Sequence, residues 1–452
     1  MESSKIHSLL ICDIALINAH SVKTSYAPSH IEYIDISSVG TGEFTEPPKL
    51  MSFADAPSRA RRIVKAGDTI LSTVRPNRRS FLFLSSPSPI AVASTGFAVL
   101  TPTPNVDPRY LYYWVTRQEF TDYLSLHAKG AAYPAVSTED IGGAEIVVPP
   151  LPEQHRIGGI LSSYDELIEN SQRRIKILES MARVLYREWF IHFRYPGSGR
   201  ETGNEPSTRP DGHPSPRGRR EGNDTENNYP STFGRGAKGA GAEFDPHVES
   251  ALGKIPKGWE VKCVPECIHV NPRVSVPRES EKPFVPMGCL STDSMLITDI
   301  ESRDGNSGAK FQNGDTLFAR ITPCLENGKT GFVQFLPDAD AVAFGSTEFI
   351  VLRSRTVTPE FVYCLARSEE FRGVAIKSMS GASGRQRVQE QCFNDFQIVH
   401  PPLALLNLFS DIVAPSFRLI YMLHLQIQNL RRTRDLLLPR LLSGQVNLKG
   451  TD

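Results

Sequence analysis

Two short stretches have the residue types of a phosphate or metal site. Asn327–Thr330 resembles the end of a phosphate-binding loop, but a proline stands five residues before Gly328, where that loop needs a glycine. Cys263, Cys267 and His269 are possible zinc ligands, but no second Cys or His pair follows at zinc spacing. Neither a Gly-x-Ser-x-Gly elbow nor a glycine-rich cofactor fingerprint is present. The sequence therefore predicts no catalytic residue, no metal site and no cofactor on this chain.

Basic and amide side chains in predicted turns could form a different kind of site, one that binds nucleic acid. Arginine contacts phosphates and can bind guanine through two hydrogen bonds, whereas asparagine and glutamine can bind adenine. A charged turn is more often simply solvated, so each cluster alone is weak evidence. The candidate DNA contacts are Arg75, Asn77, Arg78, Arg79, Tyr133, Arg320, Lys329, Arg385, Gln386 and Arg387.

The overall composition excludes several classes of protein. Lys and Arg total 50, as do Asp and Glu, which argues against a histone-like polycation but allows a local basic face. Seven cysteines in 452 residues are too few, and odd in number, for a disulfide scaffold, so reduced thiols are expected. No apolar run reaches the roughly 18–20 residues of a membrane helix. We therefore expect a cytoplasmic protein.

The chain repeats itself at an offset of 247 to 252 residues. Gly67–Leu71 reappears as Gly314–Phe318, and Pro149–Leu151 reappears as Pro401–Leu403. Three more matches lie between these in the same order: Pro76 with Pro323, Ser94–Phe97 with Ser346–Phe349, and Asp107–Tyr110 with Thr358–Phe361. Five ordered matches at nearly constant offset predict the duplication of a whole globular unit.

Each copy combines short strands with a helix. Runs of β-branched and aromatic residues, such as Ile70–Val74 and Phe97–Leu100, alternate with Gly and Pro, which predicts strands joined by turns. A helix is expected from about Pro108 to Leu126, and again over 359–377, because proline near the first turn fits a helix start. The predicted fold class is therefore α+β.

A long helical pattern with a seven-residue apolar repeat follows each copy. Such a repeat favours two helices in a left-handed coiled coil, and the alternative is an ordinary amphipathic helix packed on its own domain. Pro415, near the start of the second pattern, would bend that helix or delay its start. The residues predicted to pack between the helices are Ile157, Leu161, Ile168, Ile175, Leu178, Leu185, Val413, Ile420, Leu423, Ile427, Leu430 and Leu437.

Residues 196–249, between the copies, have a different composition. Gly, Pro and charged residues of both signs dominate, so this segment cannot bury enough apolar surface to offset its ordering entropy. We predict a disordered, Gly/Pro-rich linker. Deletion of residues 200–245 should leave folding and assembly intact.

Four stretches resemble the specificity subunits of type I restriction–modification systems. They are Val148–Gln154 before the first long helix, Leu185–Phe190 near its end, Ser250–Val261, and Leu438–Gly444. Combined with the duplication, the resemblance covers nearly the whole chain outside the linker.

The resemblance implies a definite domain organisation. Two tandem target-recognition domains would occupy residues 1–150 and 250–400, and each would be followed by a long spacer helix, at 151–195 and 401–445. The two helices would form an antiparallel coiled coil whose length sets the gap between two halves of a DNA site.

The resemblance also implies a function. The chain would be a non-catalytic subunit that recognises a split, asymmetric DNA sequence and docks methyltransferase and restriction subunits. S-adenosylmethionine, ATP and Mg would be bound by those partners. One alternative is a stand-alone or degenerate DNA-binding or inhibitory protein, which the neighbouring genes would distinguish. The other is a coiled-coil structural adaptor, which a salt-dependent DNA affinity would exclude.

Overall fold

The chain divides into two compact units that share two long helices. The computed structural model describes residues 7–23, 28–198, 247–276, 278–279, 281–382 and 384–446. Unit 1 comprises residues 1–174 and 422–452, and unit 2 comprises residues 175–421. The predicted linker lies largely outside the described residues.

Unit 1 contains two four-stranded sheets and a two-stranded ribbon. Its strands are β1 (His7–Leu10), β2 (Ala15–Ile17), β3 (His30–Ile34), β4 (Lys49–Ser52), β5 (Ala60–Ile63), β6 (Asp68–Ser72), β7 (Phe81–Leu84), β8 (Ala91–Ser94), β9 (Phe97–Pro102) and β10 (Glu145–Val148). The sheets have the orders β2-β9-β6-β7 and β4-β3-β8-β5, and β1 pairs with β10. Only β3 and β8 are parallel among the described pairs of this unit. Every residue of β6 is buried, as expected of a central strand.

The helices of unit 1 correct one prediction. They are α1 (Ile11–Ile14), α2 (Pro108–Thr116), α3 (Gln118–His127) and α4 (Thr138–Gly142). The single helix predicted to Leu126 is therefore two helices, because Arg117 between them has extended backbone angles. Its guanidinium group stacks 3.6 Å from the centre of the Trp114 ring, which stabilises the break. Asp107 caps α2 by accepting a hydrogen bond from the Tyr110 amide.

Unit 2 has the same sheet topology. Its strands are β11 (His247–Ser250), β12 (Gly253–Pro256), β13 (Glu260–Cys263), β14 (Ile268–Val270), β15 (Lys282–Val285), β16 (Glu301–Arg303), β17 (Ala309–Phe311), β18 (Thr316–Ala319), β19 (Thr330–Phe332), β20 (Ala343–Gly345), β21 (Phe349–Ser354) and β22 (Gln397–His400). The orders β14-β21-β18-β19 and β16-β15-β20-β17 repeat those of unit 1 strand for strand, and β13 pairs with β22 as β1 does with β10. The repeat in the sequence is thus a repeat of the fold.

Two details of unit 2 differ from the predictions. Its helices are α6 (Val264–Cys267), α7 (Pro359–Ala366) and α8 (Glu369–Lys377), so the helix predicted over 359–377 is also broken, and Ser368 caps α8 through the Phe371 amide. Residues 247–249, predicted as the end of the linker, belong to β11, which is paired with β12.

The long helices are α5 (Leu151–Tyr186), with 36 residues, and α9 (Leu403–Leu442), with 40 residues. A π-helical turn, Arg187–Ile191, extends α5. Both helices end before the predicted residues 195 and 445, and α9 continues through Pro415. In unit 1, Leu161 and Leu441 share one buried cluster, and Asp165 pairs with Arg434. In unit 2, the Phe190 and Phe409 rings lie 5.0 Å apart.

Helix α9 has an unusually apolar composition for its length. It is the one described helix whose length and composition would allow it to cross a membrane. Sequence reasoning missed this because charged residues interrupt its apolar run. Phe409, Val413, Phe417 and Ile420 are buried within unit 2, so packing accounts for part of this apolar character, since 33% of the most apolar window is buried.

Candidate nucleic-acid interface

The predicted basic turn of unit 1 is bonded to a short hairpin. After β6, Arg75 and Arg79 adopt left-handed backbone angles on either side of a 3-10 turn. The Arg75 amide donates to the Pro134 carbonyl at 2.7 Å, and Lys129 pairs with Ala135 to form the hairpin. These contacts bring Arg75, Asn77, Arg78 and Tyr133 together in one segment of the surface. We call the turn together with residues 129–135 the unit 1 tip.

The Arg75 side chain orients this tip. Its guanidinium lies 4.9 Å from the centre of the Tyr133 ring and donates to the Ala132 carbonyl at 3.1 Å. Tyr133 is 72% exposed. An aromatic ring held in solvent by a cation is placed for contact with a large partner rather than for packing in the core.

Unit 2 has a tip at the equivalent place. After β18, Ile321 pairs with Arg387, and Ser380 pairs with Arg387 to form a hairpin after α8. The Thr322 amide donates to the Gln386 carbonyl at 3.1 Å, which joins the turn to the hairpin. We call the turn at 321–322 together with residues 380–382 and 384–387 the unit 2 tip. Here the structure brings Arg385, Gln386 and Arg387 together.

Equivalent glycines form both hairpins. Gly130 has φ +104° and Gly381 has φ +126°, a backbone conformation that residues other than glycine rarely adopt. A Cβ at Gly130 would also lie 3.2 Å from the Tyr133 carbonyl oxygen. The two tips therefore share a backbone design, while the side chains that they present differ.

Three more predicted arginines, like Arg75, have partners inside the protein. Arg79 donates to the Thr116 carbonyl at 2.8 Å, and Arg320 pairs with Glu390 at 2.7 Å. Arg387 donates hydrogen bonds to both oxygens of the Glu348 carboxylate, and these bonds hold the pKa of Glu348 below its usual value. The structure therefore gives these side chains a positioning role, Arg387 within the unit 2 tip itself.

Lys329 lies apart from the unit 2 tip. Its ammonium group is half-buried and donates to the Met287 carbonyl at 3.1 Å. This bond also leaves it unlike the lysine of a phosphate-binding loop. Within the described parts of the chain, no group of His, Cys, Asp or Glu side chains could hold a metal ion.

The exposed predicted residues are Asn77, Arg78, Tyr133, Arg385 and Arg387, the last of them paired with Glu348, whereas Gln386 is half-buried. Sequence reasoning missed two more exposed side chains, one at the unit 1 tip and one at the end of α3 just before it. Lys129 is exposed at the base of the hairpin, and Leu126, the penultimate residue of α3, is 86% exposed. The predicted helix ends at Leu126 and is soon followed by Lys129 and Gly130, which is the pattern that could have indicated them. The unit 1 tip is thus basic and aromatic, and the unit 2 tip is basic and polar.

The residues predicted to pack between the long helices fall into a buried group and a half-buried group. Ile157, Leu161, Ile168, Ile175, Val413, Ile420, Leu423 and Ile427 are buried, whereas Leu178, Leu185, Leu430 and Leu437 are half-buried. In α5 the buried face passes from Ser171 to Glu179 and Tyr186, one residue beyond the predicted positions. The buried face shifts relative to the heptad positions because a straight helix has 3.6 residues per turn, whereas a strict heptad repeat has 3.5.

Some apolar side chains on the long helices face outward. Ile177, Met181 and Val184, spaced along one face of α5, are each more than half exposed. On α9 the exposed apolar residues are Leu403, Leu408, Ile412, Leu419, Met422 and Leu436. Exposed apolar stripes of this kind are typical of surfaces that bind other proteins.

Comparison with known proteins gives consistent matches. A model of the type I restriction modification DNA specificity domain matches residues 32–180. The type I restriction enzyme HindI specificity subunit of Haemophilus influenzae is 21% identical over 421 residues, which are 88% of this chain and 90% of that protein. The MjaIX specificity subunit of Methanocaldococcus jannaschii is 25% identical over 368 residues, covering 78% and 72%. The crystal structure of a type I restriction–modification system S subunit from M. genitalium, 12% identical, shares the fold with a TM-score of 0.54 over 98% of this chain and 97% of that one.

Proposed function

We propose that this chain recognises a split, asymmetric DNA site. The chain belongs to the specificity subunits of type I restriction–modification systems, which are non-catalytic DNA-recognition subunits. Each unit contacts one half of the site through its tip. Base contacts specify the sequence, and phosphate contacts fix the register.

One observation carries this proposal: the same hairpin-and-turn arrangement presents different side chains in the two units. Asn77, Arg78 and Tyr133 lie at the unit 1 tip, whereas Arg385 and Gln386 lie at the unit 2 tip. Equal backbones with unequal side chains favour two half-sites of different sequence. The two units have no overall excess of positive charge, so the contact is a local one.

The long helices serve as the spacer between the half-sites. We expect α5 and α9 to act as an antiparallel coiled coil, supported by the buried apolar residues on each helix and by the Asp165–Arg434 pair. Shortening both helices by one heptad should then shorten the gap between the half-sites.

Type I specificity subunits work with methyltransferase and restriction subunits. The exposed apolar stripe of Ile177, Met181 and Val184 suits the docking of a helix from such a partner. In this proposal the partners bind S-adenosylmethionine, ATP and Mg, this chain binds none of them, and the complex works in the cytoplasm.

Two alanine substitutions test which tip contacts which half-site. Arg78→Ala and Arg385→Ala, each in complex with the methyltransferase subunit, should relax the sequence preference of one half of the site and leave the other half unchanged. A lost base contact costs about 1–3 kcal/mol of specific binding. Lys129→Ala should instead weaken binding to all sequences and reduce its salt dependence.

The matched control is Arg431→Ala, which removes an exposed arginine from α9. It should leave both half-sites unchanged. Unaltered site preferences in both the Arg78 and the Arg385 variants would show that the tips do not read DNA.

A further inference from the structure

Unit 1 contains a polar contact among three elements of the fold. The Tyr113 hydroxyl of α2 donates to Asp165 Oδ2 of α5 at 2.5 Å, and Arg434 of α9 donates to the other oxygen of the same carboxylate. Tyr113 is buried, and the Asp165 and Arg434 side chains are only 32% and 27% exposed. We call these three residues the polar triad.

Unit 2 fills the equivalent positions with apolar side chains. By the repeat, Tyr113 corresponds to Cys364, Asp165 to Phe417 and Arg434 to Ala182. All three are buried, and Cys364 Sγ lies 3.9 Å from the Ala182 carbonyl oxygen. We call them the apolar trio.

The difference matters because each unit is completed by the end of a helix from the other half of the chain. Unit 1 takes the end of α9, and unit 2 takes the end of α5. A second copy of the chain carries the same two helix ends, and their positions correspond residue by residue. Unit 1 could therefore meet the α5 end of another copy in place of its own α9 end.

The polar triad opposes that exchange. With an α5 end in unit 1, Ala182 would stand where Arg434 stands, so the mostly buried Asp165 carboxylate would lose its cation. With an α9 end in unit 2, the Arg434 guanidinium would meet Phe417 and Cys364, which offer no carboxylate. Each wrong pairing leaves a charge without its partner.

Glu179 adds a second, independent selection in unit 2. This buried residue of α5 accepts hydrogen bonds from the Met295 amide at 2.6 Å and the Ser294 hydroxyl at 2.8 Å. The corresponding residue of α9 is Arg431, which is exposed. An α9 end in unit 2 would thus leave these two donors without their acceptor.

We infer that the polar triad and Glu179 form a pairing code, which makes each unit accept one helix end of this chain and reject the other. The partner that the code excludes is a second copy of the chain joined through antiparallel α5–α5 contacts. The code explains how α5 and α9 of one duplicated chain pair with each other, rather than α5 pairing with α5 of a second copy. It involves no DNA contact, so its test is independent of the proposed function.

The test makes unit 1 resemble unit 2. The triple variant Tyr113→Cys, Asp165→Phe, Arg434→Ala replaces the polar triad with the apolar trio in the full-length chain. Copies labelled with ¹⁴N and ¹⁵N are unfolded together, refolded, and treated with a lysine cross-linker. Lys176 is the only lysine of α5. With Ala182 of one copy beside Asp165 of the other, Lys176 stands beside Ser171, so α5–α5 pairing brings the two Lys176 residues within about 10 Å of each other along the helix axis.

We expect a folded variant in which the yield of mixed-isotope Lys176–Lys176 cross-links rises roughly tenfold over the wild type. A tenfold rise corresponds to a loss of about 1.4 kcal/mol in the free-energy difference between the correct and the wrong helix pairing. Leu161→Ala is the control, because it destabilises the same unit without touching the triad. An unchanged cross-link yield would overturn the inference, as would an equal rise in the Leu161 variant.

A second pair of variants decides the matter if the triple variant does not fold. Asp165→Arg and Arg434→Asp should each raise the cross-link yield, and the double variant, which restores opposite charges, should return it to the wild-type level. A double variant no better than the singles would overturn the inference.

Discussion

A buried ion pair in unit 2 allows a sharp prediction about stability. The Asp315 carboxylate at the start of β18 is 1% exposed and accepts hydrogen bonds from Arg353 at 2.7 and 2.6 Å. Arg353→Met removes the cation and leaves the carboxylate buried. Breaking such a pair costs about 3–5 kcal/mol, and because the Arg353 side chain is 25% exposed we expect the lower end, about 3 kcal/mol.

The assay follows the unfolding of unit 2 in urea. Trp189 and Trp259 belong to unit 2 and Trp114 to unit 1, so a Trp114→Phe background makes tryptophan fluorescence report on unit 2 alone. In this background Arg353→Met should lower the free energy of unfolding by about 3 kcal/mol. Adding Asp315→Asn should recover much of the loss, because the buried charge is gone.

An exposed arginine of the same unit supplies the matched control. Arg385→Met, at an exposed position, should change the stability by less than about 0.5 kcal/mol. A deficit in the Arg353 variant no larger than in this control would refute the reasoning, as would a failure of Asp315→Asn to recover any of the loss.

Three further predictions concern Asp68, Leu161 and Arg387. Burial raises the pKa of Asp68 in unit 1 despite the hydrogen bond from Thr101, so the stability that this carboxyl contributes is present at low pH and is lost as the pH rises through the raised pKa. The stability of Asp68→Asn, measured by Trp114 fluorescence, should therefore increase relative to that of the wild type between pH 4 and pH 7, and a constant difference would contradict this. Leu161 is fully buried, so Leu161→Ala should destabilise unit 1 by about 2–5 kcal/mol in urea unfolding, and a loss below about 1 kcal/mol would show that its site collapses without a cavity. Arg387→Ala should weaken preference for the same half-site as Arg385→Ala but leave the salt dependence of binding unchanged, because its charge is already paired with Glu348; a reduced salt slope would place it on the phosphates instead.

The topology was accessible from the sequence because the duplication preserves the residues that determine it. Gly67–Leu71 and Gly314–Phe318 both lead into buried central strands, and Pro149–Leu151 and Pro401–Leu403 both precede long helices. The breaks at Arg117 and Ser368 were not accessible. Arg117 is compatible with a helix by its type, and its stacking on Trp114 appears only once the chain is folded.

The functional side chains were only partly accessible, because arginines of equal type play different roles. Arg78 and Arg385 are exposed, whereas Arg320 is bound by Glu390, 70 residues away in sequence, and Arg387 by Glu348, 39 residues away. Local patterns carry no information about such distant partners. The positions of the tips could be predicted from the turns, but the division between contacting and positioning residues required the folded structure.

The central claim is that this chain sets the sequence of a split DNA site. The most direct measurement is methylation-sensitive long-read sequencing of DNA from cells that express the chain with its methyltransferase subunit. We expect methylated adenine within one motif made of two unequal halves separated by a fixed gap, and the loss of that methylation when the gene for this chain is deleted. A purified complex that methylates no such motif, or a motif that persists after the deletion, would contradict the account.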